Sequence, residues 1–197
     1  MPKNTDVRVG APDQKVTGAI KHAPVGTALP DLTDITKAAV TLNQAFTGDE
    51  YVSEDGLTLS PSRSTTEIKD CSGSTVRKVL ESFDGTLSWT MISTNEGALS
   101  IAFGADHVTT AAATAAHGAQ VKAALGAYLP EEQAWVFLMK DGDARIVIAV
   151  PDGQITEVGE VTFASNVAVG WNVTLSCYPD ANGNSIYIMT DDGVVTA

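Results

Sequence analysis

The residues of this chain that could do chemistry are three histidines, two cysteines and 24 carboxylates. His22, His107 and His117 form no i, i+4 pair and no H-E-x-x-H arrangement, so their spacing supports neither a zinc site nor a general base. Each reads as a surface or hydrogen-bonded histidine. Cys71 and Cys177 make no C-x-x-C pair and are read as two reduced, largely buried thiols. Asp180, Asn182 and Asn184 alternate as calcium ligands do, with Asp191 where the last ligand would fall. The sixth loop position is Ser185 where glycine is required, and no helices flank it, so a turn is the better reading. Asp49-Glu50, Glu54-Asp55, Glu131-Glu132 and Asp191-Asp192 are adjacent pairs, which a strand sends to opposite faces, so none makes an acid/base dyad. No G-x-x-x-x-G-K-[ST], G-x-G-x-x-G or G-x-S-x-G is present. No catalytic, metal or cofactor residue is assigned, and an enzyme is not expected.

The elements that would position these groups are mostly strands. Thr86 to Met91 places Leu87, Trp89 and Met91 on one face and Thr86, Ser88 and Thr90 on the other, the period of a half-buried strand. Trp135 to Lys140, Arg145 to Val150 and Gly159 to Ala164 read as further strands separated by turns at Asp141-Gly142 and Pro151-Asp152-Gly153. Val173 to Tyr178 and Ser185 to Thr190 flank an Asn182-Gly183 signal and propose a last hairpin. One helix is expected at about 94 to 103, with Ser93 as cap, Glu96 completing a capping box, and Gly104 ending it. Ala111 to Leu125 leaves helix and strand both open, because its alanines favour one and its glycines and alternation the other. Residues 1 to 35 read as an extended arm, followed by one domain from 36 to 197.

Composition bounds the partners. The 197 residues carry 12 Lys plus Arg against 24 Asp plus Glu, a net charge of −12. The arm from Met1 to Pro24 is basic, while no Lys or Arg occurs between Ile146 and Ala197. A surface this negative repels phosphate backbones and argues against tight nucleic-acid binding, although it suits a surface past which DNA must slide. The most apolar stretch, Ala111 to Leu129, holds Thr114, His117, Gln120 and Lys122, so no membrane span is expected, and the first residues show no secretory signal.

Several stretches, taken in order, resemble the major tail proteins, or tail tube proteins, of long-tailed bacteriophages. They are Gly26 to Pro30, Tyr51 to Leu57, Ile68 to Asp70 with Thr75 to Arg77, and Leu87 to Trp89 running into a helix at Asn95 to Phe103. Arg145 to Pro151, Glu157 to Phe163 and Val173 to Leu175 with Asp180 to Gly183 complete the set. The resemblance implies a mainly β fold, two packed antiparallel sheets flanked by one short helix, with an extended N-terminal arm. It favours strands within 118 to 128. It also implies a structural, non-enzymatic subunit that assembles into stacked hexameric rings, a tube in the virion tail built in the host cytoplasm. DNA would pass through without sticking, and a tape measure protein and tail terminator or tip proteins would be partners. The arm and a loop at about 47 to 66 would contact neighbouring subunits, making Lys3, Arg8, Lys15, Lys21, Asp49, Glu50, Tyr51, Glu54 and Asp55 the candidate contact residues. Deleting Met1 to Pro24 is then expected to leave the domain folded while abolishing stacking. Which acids would face the lumen is not assigned. The rival reading is a β-sandwich decoration or receptor-binding module that works through exposed loops.

Overall fold

The computed structural model describes residues 7–13, 18–48 and 50–195. The chain runs β1 (Ala11–Pro12), β2 (Ile20–Pro24), β3 (Val52–Lys69), β4 (Thr75–Met91), α1 (Glu96–Phe103), β5 (Val108–Ala111), β6 (Gln120–Ala123), β7 (Gln133–Asp141), β8 (Ala144–Val158), β9 (Trp171–Tyr178) and β10 (Tyr187–Asp191). All pairings are antiparallel, in an eight-stranded sheet ordered β1-β7-β8-β9-β4-β3, with β2 on β7 and β10 on β8, and a separate β5–β6 pair.

The large sheet folds over on itself. Strands β4 and β7 are three ladder steps apart, which in a flat sheet would be roughly 14 Å. Yet the Trp89 ring lies 5.6 Å from Trp135 and 5.2 Å from Phe137. The result is a sandwich whose core is made by Leu87, Trp89 and Met91 facing Trp135, Phe137 and Met139, with Val150, Ile155, Val173 and Leu175 between them. The alternation in β4 puts those three residues inside, as the sequence predicts.

Strand β8 joins the two leaves. Its first half pairs with β7 and β10, and its second half pairs with β9. Pro151 and Asp152 do not form the expected turn, because Pro151 falls at a bulge between Val150 and Gly153 where no ladder partner needs its missing N–H. The 15-residue strand therefore continues through it. The strand expected at Gly159 to Ala164 is a loop instead. Both edges of β9 are already taken, by β8 and β4, so no edge remains for that segment to join. The turn at Gly142 is as expected: Asp141 pairs with Ala144, and Gly142 takes φ +60°, a value cheap only for glycine.

Strands β9 and β10 do not form a hairpin. Both run antiparallel to β8 along the edge opposite β7, one after the other, so the Asn182-Gly183 loop is an excursion and not a reversal. Its turn chemistry is still as the residues demand, with Asp180 accepting the Asn182 and Asn184 N–H groups at 2.9 and 3.0 Å.

Helix α1 is present over Glu96–Phe103, but its cap is Asn95, whose side chain accepts the Ala98 N–H at 2.9 Å. Ser93 accepts the Tyr51 N–H instead. The helix buries Ala98, Ile101 and Ala102 on the sandwich core. Within the alanine-rich segment, β5 and β6 form a short hairpin, so the strand alternative holds there.

The expected arm ends earlier than residue 35. Ile20 to Pro24 is a strand on β7, and Ala19, Ile20 and Ala23 are buried. Ala23, Ile35 and Phe46 cover Ala134, Val136, Val147 and Ala149, so both faces of β7 and β8 are buried, which explains their nearly continuous apolar sequence. Gly48 lets this cover close on β2, since a Cβ there would stand 2.6 Å from the Ile20 carbonyl oxygen. Buried Arg145 ties the same segment down, donating to the Thr36 and Ala38 carbonyls at 2.9 and 2.8 Å and to Asp13 at 3.1 Å. Deletion of Met1 to Pro24 would thus remove a core strand and is not a clean test of an arm.

Candidate assembly surface

The expected loop at 47 to 66 is, from Val52 onward, one half of a long β-ribbon. Strand β9 supports β4 only as far as the Gly85–Cys177 pair. Beyond it, residues 62–69 and 75–84 pair only with each other and are exposed throughout. Ten residues of β4 project about 30 Å from the body. Two-stranded ribbons are marginal in water by themselves. This one exposes Ile68 at 50%, Val76 at 68% and Leu80 at 57%, with Val79 and Phe83 also uncovered.

Local chemistry shapes the ribbon. At its tip the Asp70 carboxylate accepts the N–H groups of Ser72 and Ser74, both at 2.9 Å, and Gly73 completes the turn. The Ser72 hydroxyl and these amides hold the Asp70 carboxyl below its ordinary range. Cys71 is exposed at this tip, contrary to the buried thiol expected, whereas Cys177 is buried. Bulges sit between Ser64 and Thr65 and between Ile68 and Lys69. Arg63, Lys69, Arg77 and Lys78 balance Glu67, Asp70, Glu81 and Asp84, so residues 62–84 are neutral in a chain of net charge −12.

The sequence-predicted contacts scatter. Lys3, Lys15 and Asp49 lie outside the described residues. Arg8 donates to the Asp191 carbonyl at 3.0 Å. Lys21 is buried, with Nζ donating to the Gly48 carbonyl. Glu50 is buried against Gly97 at the start of α1. These last two side chains are therefore withdrawn from the surface by the packing of residues 18–50. Tyr51, Glu54 and Asp55 are exposed at the base of the ribbon. Sequence reasoning missed Ile68, Val76, Val79, Leu80 and Phe83, although the alternation of Leu57-Thr58-Leu59 and the Asp70-to-Ser74 turn signal a hairpin.

A second exposed apolar region lies near α1. Leu125, Leu129, Phe163 and Val167 are exposed at 71%, 55%, 74% and 54%. A cleft between α1, residues 125–130 and the end of β8 is lined by Phe103, Leu125, Leu129, Pro130, Glu157 and Val158.

The residues weighed for chemistry do not converge. His22 is half-buried beside Trp135, their rings 5.3 Å apart, and loss of solvent lowers its basicity. Asp180 spends its carboxylate on its own turn and on the Tyr187 hydroxyl at 2.5 Å, which pulls its pKa to about 2. No group of three His, Cys, Asp or Glu among the described residues is placed to hold a metal. No helix among them is long and apolar enough to cross a membrane.

Comparison with known proteins gives a sequence family and likenesses among solved structures. The sequence matches the phage tail tube protein family over residues 3–197. No curated protein matches. Among solved structures, the chain is similar to one described as the anti-feeding prophage cap, a tube-terminating cap, at 14% identity and a TM-score of 0.46, covering 94% of each chain.

Proposed function

Because the chain belongs to the phage tail tube protein family, a structural component of the virion tail that assembles with other tail proteins, we propose that it forms hexameric rings that stack into the tube. The tube is a conduit for viral DNA. The observation that carries this reading is the uncovered ribbon of residues 62–84, which leaves large apolar side chains in water on a segment too thin to bury them itself.

Sheet edges point the same way. Among the described residues strand β3 pairs only with β4, and its outer edge beyond Leu57 is an aggregation liability in a monomer and a contact in an assembly. Tyr51, Glu54 and Asp55 at the base of β3, together with the chain before residue 18, are the further contacts of this reading. Tape measure, terminator and tip proteins are its partners, with assembly in the host cytoplasm. The charge of −12 keeps DNA mobile in the lumen.

Negative-stain electron microscopy of the purified chain at high concentration, with its sedimentation distribution, tests the reading. Hollow rods or stacked rings are expected, and a monomer at every concentration would overturn it.

A further inference from the structure

The loop between β9 and β10 carries the one Asn-Gly dipeptide of the chain, Asn182-Gly183. In such a pair the backbone nitrogen of the glycine attacks the side-chain amide carbon of the asparagine, because no side chain on the glycine stands in the way. The new N–Cγ bond closes a five-membered imide as the Cγ–Nδ2 bond breaks. The backbone amide proton and the Nδ2 group leave together as ammonia, and water then opens the ring to aspartate or isoaspartate. Only solvent water is consumed, and nothing is oxidised or reduced. Asn182 and Gly183 are both exposed, so water reaches them.

The fold holds both reacting groups back. The Gly183 N–H, the nucleophile, donates to the Asp180 carbonyl at 2.9 Å. The Asn182 amide group donates to the Asp180 carboxylate at 3.3 Å, and the Asn182 backbone N–H donates to the same carboxylate at 2.9 Å. Attack requires both to be released: the nitrogen must shed its proton, and the amide must swing until Cγ stands over it. Asp180 is itself held. Its carboxylate accepts the Tyr187 hydroxyl at 2.5 Å and the Asn184 N–H at 3.0 Å, and its own N–H donates to the Asn184 carbonyl at 3.0 Å. Tyr187 stands on β10 opposite Ala149 of β8, packed against the cluster of Ala134, Val136 and Val147, so the restraint is anchored on the sheet. Asn184, in the same turn, is followed by buried Ser185, whose side chain obstructs the equivalent approach.

We infer that Asn182 is a site of spontaneous deamidation through an imide with Gly183, and that Asp180 and Tyr187 hold it in check. The reaction proceeds when the turn opens. Its product then keeps the turn open: a carboxylate faces Asp180 where an amide donor stood, so a hydrogen bond is lost and like charges meet. Strands β9 and β10 take their register from β8, so the sheet survives the change. An aged molecule therefore differs from a new one by one negative charge and a loosened loop on an intact body.

Peptide mass spectrometry of the full chain, held in warm and mildly alkaline buffer, tests the assignment, with hydroxylamine, which cleaves the imide, as the probe of the intermediate. In urea the chain is expected to lose ammonia at Asn182 ahead of every other asparagine and to give both aspartyl and isoaspartyl peptides. Hydroxylamine should break it between residues 182 and 183. In the folded chain the same reaction should be slower. Tyr187→Phe keeps the ring and removes only the hydroxyl, and is expected to speed the folded-state reaction about threefold, the effect of losing one hydrogen bond. Asp180→Ala should bring the rate close to that in urea, and if this variant does not fold, Tyr187→Phe alone decides. An Asn182 that stays unchanged in urea overturns the site. A wild-type chain as fast folded as unfolded, or a folded-state rate that neither variant raises, overturns the restraint.

Discussion

Strands β7 and β8 and the ribbon of β3 and β4 are both two-stranded antiparallel ladders, yet one is covered on both faces and the other on neither. In the first, odd-numbered residues of β7 enter the sandwich core and even-numbered ones meet Ala23, Ile35 and Phe46. In the second, Ile68, Val79, Leu80 and Phe83 are all exposed. Backbone pairing is the same in each, so what separates the buried ladder from the exposed one is the presence of a cover. Residues 18–48 provide it for β7 and β8, and no described residue provides it for the ribbon.

The widest split between the two ladders comes from truncating one large side chain in each. Phe137→Ala should cost about 3–5 kcal/mol in the monomer, seen as a lowered melting temperature. Leu80→Ala should change the monomer by less than about 0.5 kcal/mol, as expected for an exposed site. If both variants melt alike, the ribbon is already packed in the monomer and the contrast fails.

Next in size is the clamp that holds the cover. Arg145→Met leaves the Thr36 and Ala38 carbonyls without their donor and Asp13 without its cation, and should cost about 3 kcal/mol, read as a lower urea midpoint. The ribbon lies outside the reach of this change, so a spectroscopic probe placed there should keep its monomer signal below the unfolding midpoint.

The smallest contrast is chemical. Burial pushes the Cys177 thiol from an ordinary value near 9 up to about 12, so the folded state keeps that proton longer than the unfolded chain does. Its contribution to stability is thus present below pH 9 and lost as pH rises from 9 to 12. At pH 8 a thiol reagent should label the exposed Cys71 quickly and Cys177 only on unfolding. Two fast thiols would show that the β9 end of the core opens.

How much of this was legible in the sequence depended on whether the signal was local. The alternation at Leu87, Trp89 and Met91, the glycine turn at Gly142 and the helix ending at Gly104 were all readable, because each rests on neighbouring residues. Pro151 misled, since its meaning depends on a change of ladder partner contributed by β7 and β9. The Asn182-Gly183 loop misled for a similar reason, as only β8 decides that the chain continues in its original direction. The buried places of Lys21 and Glu50 were hidden because long-range packing, and not residue type, withdraws them. Of the candidate contact residues, Tyr51, Glu54 and Asp55 are exposed, as their charge and position suggest. The ribbon's apolar residues were passed over because in isolation they look like an ordinary strand.

The loop between β9 and β10 is anchored at both ends by one strand and not by its own two flanks. Each flanking strand takes its register from β8, so residues 180–184 can lengthen or shorten without sliding either strand. The molecule therefore has, beside its invariant ladder, a built-in insertion port. A peptide tag or a small folded domain spliced there would ride on the particle with the sheet register unchanged.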